Sequence, residues 1–142
     1  MPMRTHRGLT FVTVLILLGV AVGTFWVLTY GEAYWDNTEV KALTRYSANA
    51  CYNQKNDAIV KAEFWRKLHD LLDVDVVQGG KTVRQLKIEA DPEDLRLERT
   101  ETPPHVDIWF TYNRTVKVPL LGQTRVVQFV DHAEQDLSLV KW

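Results

Sequence analysis

Asp131 and His132 are adjacent in the chain, and Glu134 and Asp136 follow closely. A carboxylate beside an imidazole orients the ring and tunes its protonation, the pairing used in general acid–base catalysis. Asp131 and His132 are therefore the candidate acid–base residues. The same group falls at the end of a strand-like stretch, where polar residues belong in any case. His69 and His105 stand apart from it in sequence. Ser47 and Ser138 have no neighbours that would activate a hydroxyl, and no GxSxG, HExxH, Walker or dinucleotide fingerprint occurs. Cys51 is the single cysteine, which excludes an internal disulfide, a CxxC pair, a CxxCH haem site and Cys/His zinc spacing. It lies among Ala48 and Ala50 in a helical stretch, where a small buried apolar role is expected. No cofactor, metal or catalytic residue is implied, and the reading is non-enzymatic.

Two other pairs bear on recognition rather than reaction. Trp109 falls on the wetter parity of a strand together with Asp107 and Thr111. An aromatic ring outside a core marks a contact surface, so Trp109 and Thr111 are candidate contact residues. Gly19 and Gly23 are four apart in an apolar stretch and share one helix face. Small residues at this spacing let a second membrane helix approach, although glycine is also common in such helices.

The elements that must position these residues follow from periodicity. Residues 32–52 form a helical stretch in which Val40, Leu43, Ser47 and Ala50 recur at spacings of three and four. Asp36 and Glu39 fit a capping box, but a helix running straight on from the preceding segment is preferred, since Gly31 costs only about 1 kcal/mol. Asn53-Gln54-Lys55-Asn56 breaks it, and Asp57 is expected to cap a second, amphipathic helix over 58–72. In that helix Val60, Phe64, Leu68 and Leu71 or Leu72 share a face.

Gln78-Gly79-Gly80-Lys81 reads as a turn. Strands are expected within 83–132. Leu86, Ile88 and Ala90 alternate with charged residues, and Leu95, Leu97 and Arg99 alternate with Arg96, Glu98 and Thr100. Val106, Ile108, Phe110, Tyr112, Val116 and Val118 share one parity of the longest strand, so this is the face expected in the core. Pro119-Leu120-Leu121-Gly122-Gln123 is a hairpin-sized connection to a last strand, with Val127 and Phe129 on one side and Val126 and Val130 on the other. Short connections give an antiparallel sheet, and the helices must cover its apolar face. The fold class is α+β.

Gly8 to Gly31 contains no charged residue. About 20 apolar residues cross a bilayer's hydrocarbon core, so residues 8–31 are expected to form a transmembrane helix. Arg4 and Arg7 precede it, and Glu32, Asp36 and Glu39 follow it. Cationic flanks stay in the cytoplasm, which places residues 1–7 inside and the domain over 32–142 outside. Phe25, Trp26, Tyr30, Tyr34 and Trp35 cluster at the outer end, where amphipathic rings favour the headgroups. Ala21 and Gly23 also have the spacing of a signal-peptidase site, but the apolar run continues past them, so an uncleaved anchor is expected. The chain has 142 residues with 17 basic and 18 acidic side chains, interspersed, and a net charge of −1. No basic stripe exists, so no nucleic acid is implied.

The basic start, the hydrophobic helix and the small antiparallel sheet resemble type IV pilin-like proteins, and Arg7-Gly8-Leu9-Thr10-Phe11 resembles the start of the pilin signature. More closely, the chain resembles an uncharacterised family of short single-pass, pilin-like envelope proteins of proteobacteria. The resemblance is carried by Pro92 to Arg99, by a Tyr-centred strand over Val106 to Pro119 and by Val126 to His132. It implies a bacterial inner-membrane protein with a periplasmic domain, and it brings no assigned activity. Pilins carry a glutamate five residues after the cleaved glycine, and here that position is Thr13. The resemblance therefore implies architecture rather than a filament. The expected function is protein–protein contact in the cell envelope, with the bilayer and an envelope protein or a second copy as partners. A pilus or secretion-machine component, and a membrane-tethered hydrolase or metal binder, are the alternatives.

Overall fold

The computed structural model describes the backbone of residues 7–138 and the side chains from Thr10 onward. Arg4 and most of the expected cytoplasmic segment lie outside the described residues.

The first helix, α1, runs without a break over Arg7–Ala50, 44 residues or about 66 Å at 1.5 Å per residue. Asp36 and Glu39 do not start a new helix. No proline interrupts the stretch, and the single Gly31 is too small a penalty to break it. From Thr10 to Leu28 every residue is exposed, and the helix is long and apolar enough to cross a membrane. From Thr29 onward one stripe turns inward: Thr29, Ala33, Asp36, Asn37, Val40, Leu43, Thr44, Ser47 and Ala48. Ala50, expected on this stripe, is only half-buried, because the helix ends there and the chain turns through Cys51 to Asn53. The hydroxyls of Thr29 and Thr44 donate to the Phe25 and Val40 carbonyls at 2.7 and 2.9 Å, so neither arrives in the core unpaired.

The second helix, α2, spans Asp57–Leu72. Its cap is Asn56, not Asp57. Asn56 has the extended backbone a cap requires, and its side chain accepts from the Ala58 N–H at 3.0 Å. Val60, Phe64, Leu68 and Leu72 are buried.

Two antiparallel sheets follow. In the smaller, β1 (Asp73–Gln78) pairs with β2 (Lys81–Leu86). Their two-residue turn has positive φ at both Gly79 and Gly80, a conformation that suits the strand twist and demands glycine. β1 lies before the strand region expected at 83–132, since its acidic residues follow α2 with no glycine or proline between them to mark a new element. In the larger sheet, β3 (Leu95–Glu101), β4 (Pro104–Lys117) and β5 (Thr124–Asp136) are arranged in that order. The last strand extends beyond the expected limit at residue 132. The expected single sheet is divided because Asp91 and the 3-10 turn Pro92–Asp94 interrupt the chain before β3. One bridge still joins the two parts: Glu89 and Asn113 exchange backbone hydrogen bonds of 2.8 and 2.9 Å.

Both helices pack on one face of the larger sheet. Val106, Ile108, Phe110, Tyr112, Val116 and Val118 are all buried there. Phe64 of α2 meets Phe110 edge-on at 4.9 Å, and Phe110, Tyr112 and Phe129 stack in a row at 5.3 Å spacings. Arg99 shares this inner parity with Leu95 and Leu97. Its guanidinium donates to the Cys51 and Gln54 carbonyls at 3.2 and 2.7 Å and to Asp57 at 2.6 Å. One side chain of β3 thus satisfies open carbonyls beyond the end of α1 and pairs with the first turn of α2.

Candidate contact face and the polar cluster beneath it

The outer face of the larger sheet presents three cross-strand rows. Arg96, Trp109 and His132 are opposite one another; so are Glu98, Asp107 and Glu134; so are Thr100, His105 and Asp136. Alternation along β4 sends Trp109 to this side because its neighbours Ile108 and Phe110 take the core. Neither α1 nor α2 covers Trp109. Its indole stacks on His132 with ring centres 4.9 Å apart and planes 13° apart, and the Arg96 guanidinium lies 6.0 Å from its centre. These neighbours leave it half-buried. Thr111, next on the same parity, joins Trp109, Asp94, Arg96, Glu98 and Val130 around a shallow depression of about 310 Å³.

Asp131 and His132 do not act together. Adjacent strand residues face opposite ways, so Asp131 points into the core and His132 outward. The carboxylate that serves His132 is Asp107, at 2.7 Å from Nε2. The other Asp107 oxygen lies 3.2 Å from His105 Nε2, and His105 Nδ1 lies 2.8 Å from the Pro103 carbonyl. Asp107 therefore sits between two imidazoles. Sequence alone missed this pairing, yet the signal was present: 105, 107 and 109 share a parity, and a β4–β5 register brings 132 beside them. His69 is elsewhere, at the end of α2, 2.9 Å from Asp73. Among the described residues, neither outer-face imidazole hydrogen-bonds to a hydroxyl or thiol. Nor does any group of three His, Cys, Asp or Glu side chains among them have the geometry to hold a metal ion.

Beneath the sheet lies a cluster the sequence reading did not identify. Asn37 donates to both Asp131 oxygens, at 3.2 and 3.0 Å, and to the Tyr112 hydroxyl at 3.0 Å. Burial raises the Asp131 carboxyl above its ordinary value, against the lowering effect of the Asn37 hydrogen bond. It likewise raises the Asp36 carboxyl, opposed by Lys87 and Arg114. Arg114 breaks the apolar parity of β4. It reaches the Lys87 carbonyl at 2.7 Å, Glu32 at 3.1 Å and Asp36 at 3.3 Å. Glu32 also accepts from Lys87 at 3.0 Å, the main reason its carboxyl is held low. These residues join α1, at its exit from the apolar segment, to β4 and the chain before it.

Gly19 and Gly23 lie in the exposed part of α1, and a Cβ built at either meets nothing within 4 Å. Cys51 is buried and its thiol donates to the Ser47 carbonyl at 3.3 Å; burial raises its pKa. No protein-family model, curated protein or solved structure matches the chain.

Proposed function

We propose that this protein is a single-pass, membrane-anchored component of a bacterial envelope that acts by protein–protein contact rather than catalysis. In this reading α1 crosses the inner membrane with its N-terminus in the cytoplasm, and the α+β domain stands in the periplasm. The contact surface is the outer face of β3, β4 and β5 around Trp109 and Thr111. The observation that carries it is the placement of Trp109: a large aromatic side chain stacked on His132 and close to Arg96, on the sheet face that the helices leave open. Aromatic and arginine side chains are the enriched anchors of protein interfaces. The test is a photo-crosslinking residue at Thr111 in the full-length protein in native membranes, with mass spectrometry of the adduct. A specific adduct at Thr111, missing from a label at exposed Glu93, is expected. Equal labelling at both sites sinks the reading.

A second reading, a pilin-like component of a pilus or secretion machine, is favoured by the unbroken passage of α1 from the apolar segment onto an antiparallel sheet. A peptidase cut after Gly8, detected by N-terminal sequencing, would move it to first place.

A further inference from the structure

The direction of the sheet relative to α1 is set by successive contacts. Near the end of α1, Arg45, Ala48 and Asn49 line a cleft with His132, Ala133 and Glu134. Lower down, Asn37 meets Asp131 and Tyr112, and Tyr34 meets Phe129 edge-on at 5.5 Å. Lower still, Leu28, Thr29, Glu32 and Ala33 share a cleft with Arg114, Thr115, Val116 and Lys117. The connection between β4 and β5 therefore points back along α1 towards its apolar segment. Lys117 pairs with Thr124, and the Val118 N–H donates to the Gln123 carbonyl at 2.8 Å, which closes the hairpin end. At about 3.3 Å per strand residue the tip reaches up to about 10 Å past Lys117. That distance equals about seven residues of helix, so from the level of Leu28 and Thr29 the tip reaches at most the level of Ala21 and Val22, within the outer half of the apolar segment.

What stands at this tip is unsuited to water. Leu120 is 97% exposed and Leu121 64% exposed. Leu120 also has φ of 68°, a left-handed conformation that favours glycine or asparagine and strains a leucine. Just behind the leucines, Lys117 and Arg125 oppose Thr124 and Val116 and are exposed. Apolar side chains at a tip with cations one step behind suit a bilayer surface: the leucines enter the acyl region and the cations meet the phosphates.

We propose that the β4–β5 hairpin tip dips into the outer leaflet as a second lipid contact beside α1, and so fixes the tilt of the domain on the membrane. The proposal rests on the reading that α1 spans the bilayer. Two contacts, one spanning and one shallow, prevent the domain from swinging about the point where α1 leaves the membrane. They also hold the Trp109 face at a constant angle to the bilayer.

The test uses the full-length protein in vesicles of phosphatidylethanolamine and phosphatidylglycerol. An environment-sensitive fluorophore is placed through Leu121→Cys, Leu17→Cys or Glu98→Cys; Cys51 is buried and does not compete for the label. The label at Leu121 is expected to emit to the blue of the one at Glu98. A nitroxide near the head of the acyl chain should quench it at least twofold more than it quenches the Glu98 label, and iodide should quench it at least twofold less. If the Leu17 label is deep and the Leu121 label is as open to iodide as the Glu98 label, the hairpin proposal is overturned and the span stands. If the Leu17 label is itself in water, the span reading fails and the hairpin proposal with it. A blue shift at Leu121 that disappears on dilution with lipid, without nitroxide quenching, would assign the tip to a second copy and overturn the lipid contact.

Discussion

Asn37 of α1 donates to both carboxylate oxygens of Asp131 in β5, at 3.2 and 3.0 Å, across 94 residues of chain. Both side chains are buried, so the pair is a polar fastener between α1 and the sheet. A buried carboxylate held by neutral donors is satisfied in hydrogen bonding but remains costly in charge.

The pH dependence follows from that cost. Burial raises the folded-state pKa of Asp131 above its unfolded value of 3.8. The folded state therefore binds the proton more tightly than the unfolded state, and stability falls as pH rises from about 3.8 through the folded pKa. Above that window the penalty is fully present, and below it the penalty is absent. Asp131→Asn, which keeps an oxygen for Asn37, is expected to raise stability at pH 7 and to leave it unchanged near pH 3. Thermal melts of both proteins across that range check this. A loss of stability at pH 7 would show that the charge is needed.

The face assignment of β4 is tested by neighbours. Phe110 is fully buried between Phe64, Trp65 and Tyr112, so Phe110→Ala should cost about 3–5 kcal/mol. Thr111→Ala, on the open face, should cost less than about 1 kcal/mol. Equal losses in denaturant unfolding would contradict the two-faced sheet.

Arg99→Ala should destabilise the domain by about 2–3 kcal/mol, since it removes charge-assisted hydrogen bonds to the connection between the helices. Arg99→Lys should restore only part, because an ammonium lacks the planar fork that spans two carbonyls and a carboxylate. Chemical denaturation separates the three proteins; full recovery by lysine would reduce the role of Arg99 to charge.

If contact is the function, Trp109→Glu should leave the fold intact and abolish partner crosslinking, while His132→Ala should weaken it less. Circular dichroism establishes folding first. A folded His132→Ala protein that loses function beside a working Trp109→Glu variant would instead favour chemistry at the His105–Asp107–His132 group.

If Arg4 and Arg7 hold the N-terminus in the cytoplasm, as proposed, alkaline phosphatase fused after Trp142 should be active. An inactive fusion reverses the orientation. N-terminal sequencing that begins near Thr24 would reveal a cleaved signal peptide.

Several elements were legible in the chain itself because each rests on a local pattern. The long apolar helix follows from the absence of charge between Gly8 and Gly31. The spacing of Val60, Phe64, Leu68 and Leu72 marks α2, and the alternation from Val106 to Val118 marks β4 and its core face. Side-chain period depends only on backbone geometry, so it needs no knowledge of partners. Parity even placed Trp109 on the face opposite the core.

Tertiary structure alone decided who meets whom. The register of β4 and β5 separated Asp131 from His132 and gave His132 to Asp107. The packing of α1 on the sheet gave Asp131 to Asn37, and the meeting of β3 with the helix connection gave Arg99 its three acceptors. Register and packing arise from the summed burial of many side chains across the core. The partner of a polar residue is thus a consequence of where distant apolar residues come to rest, and no local spacing records it.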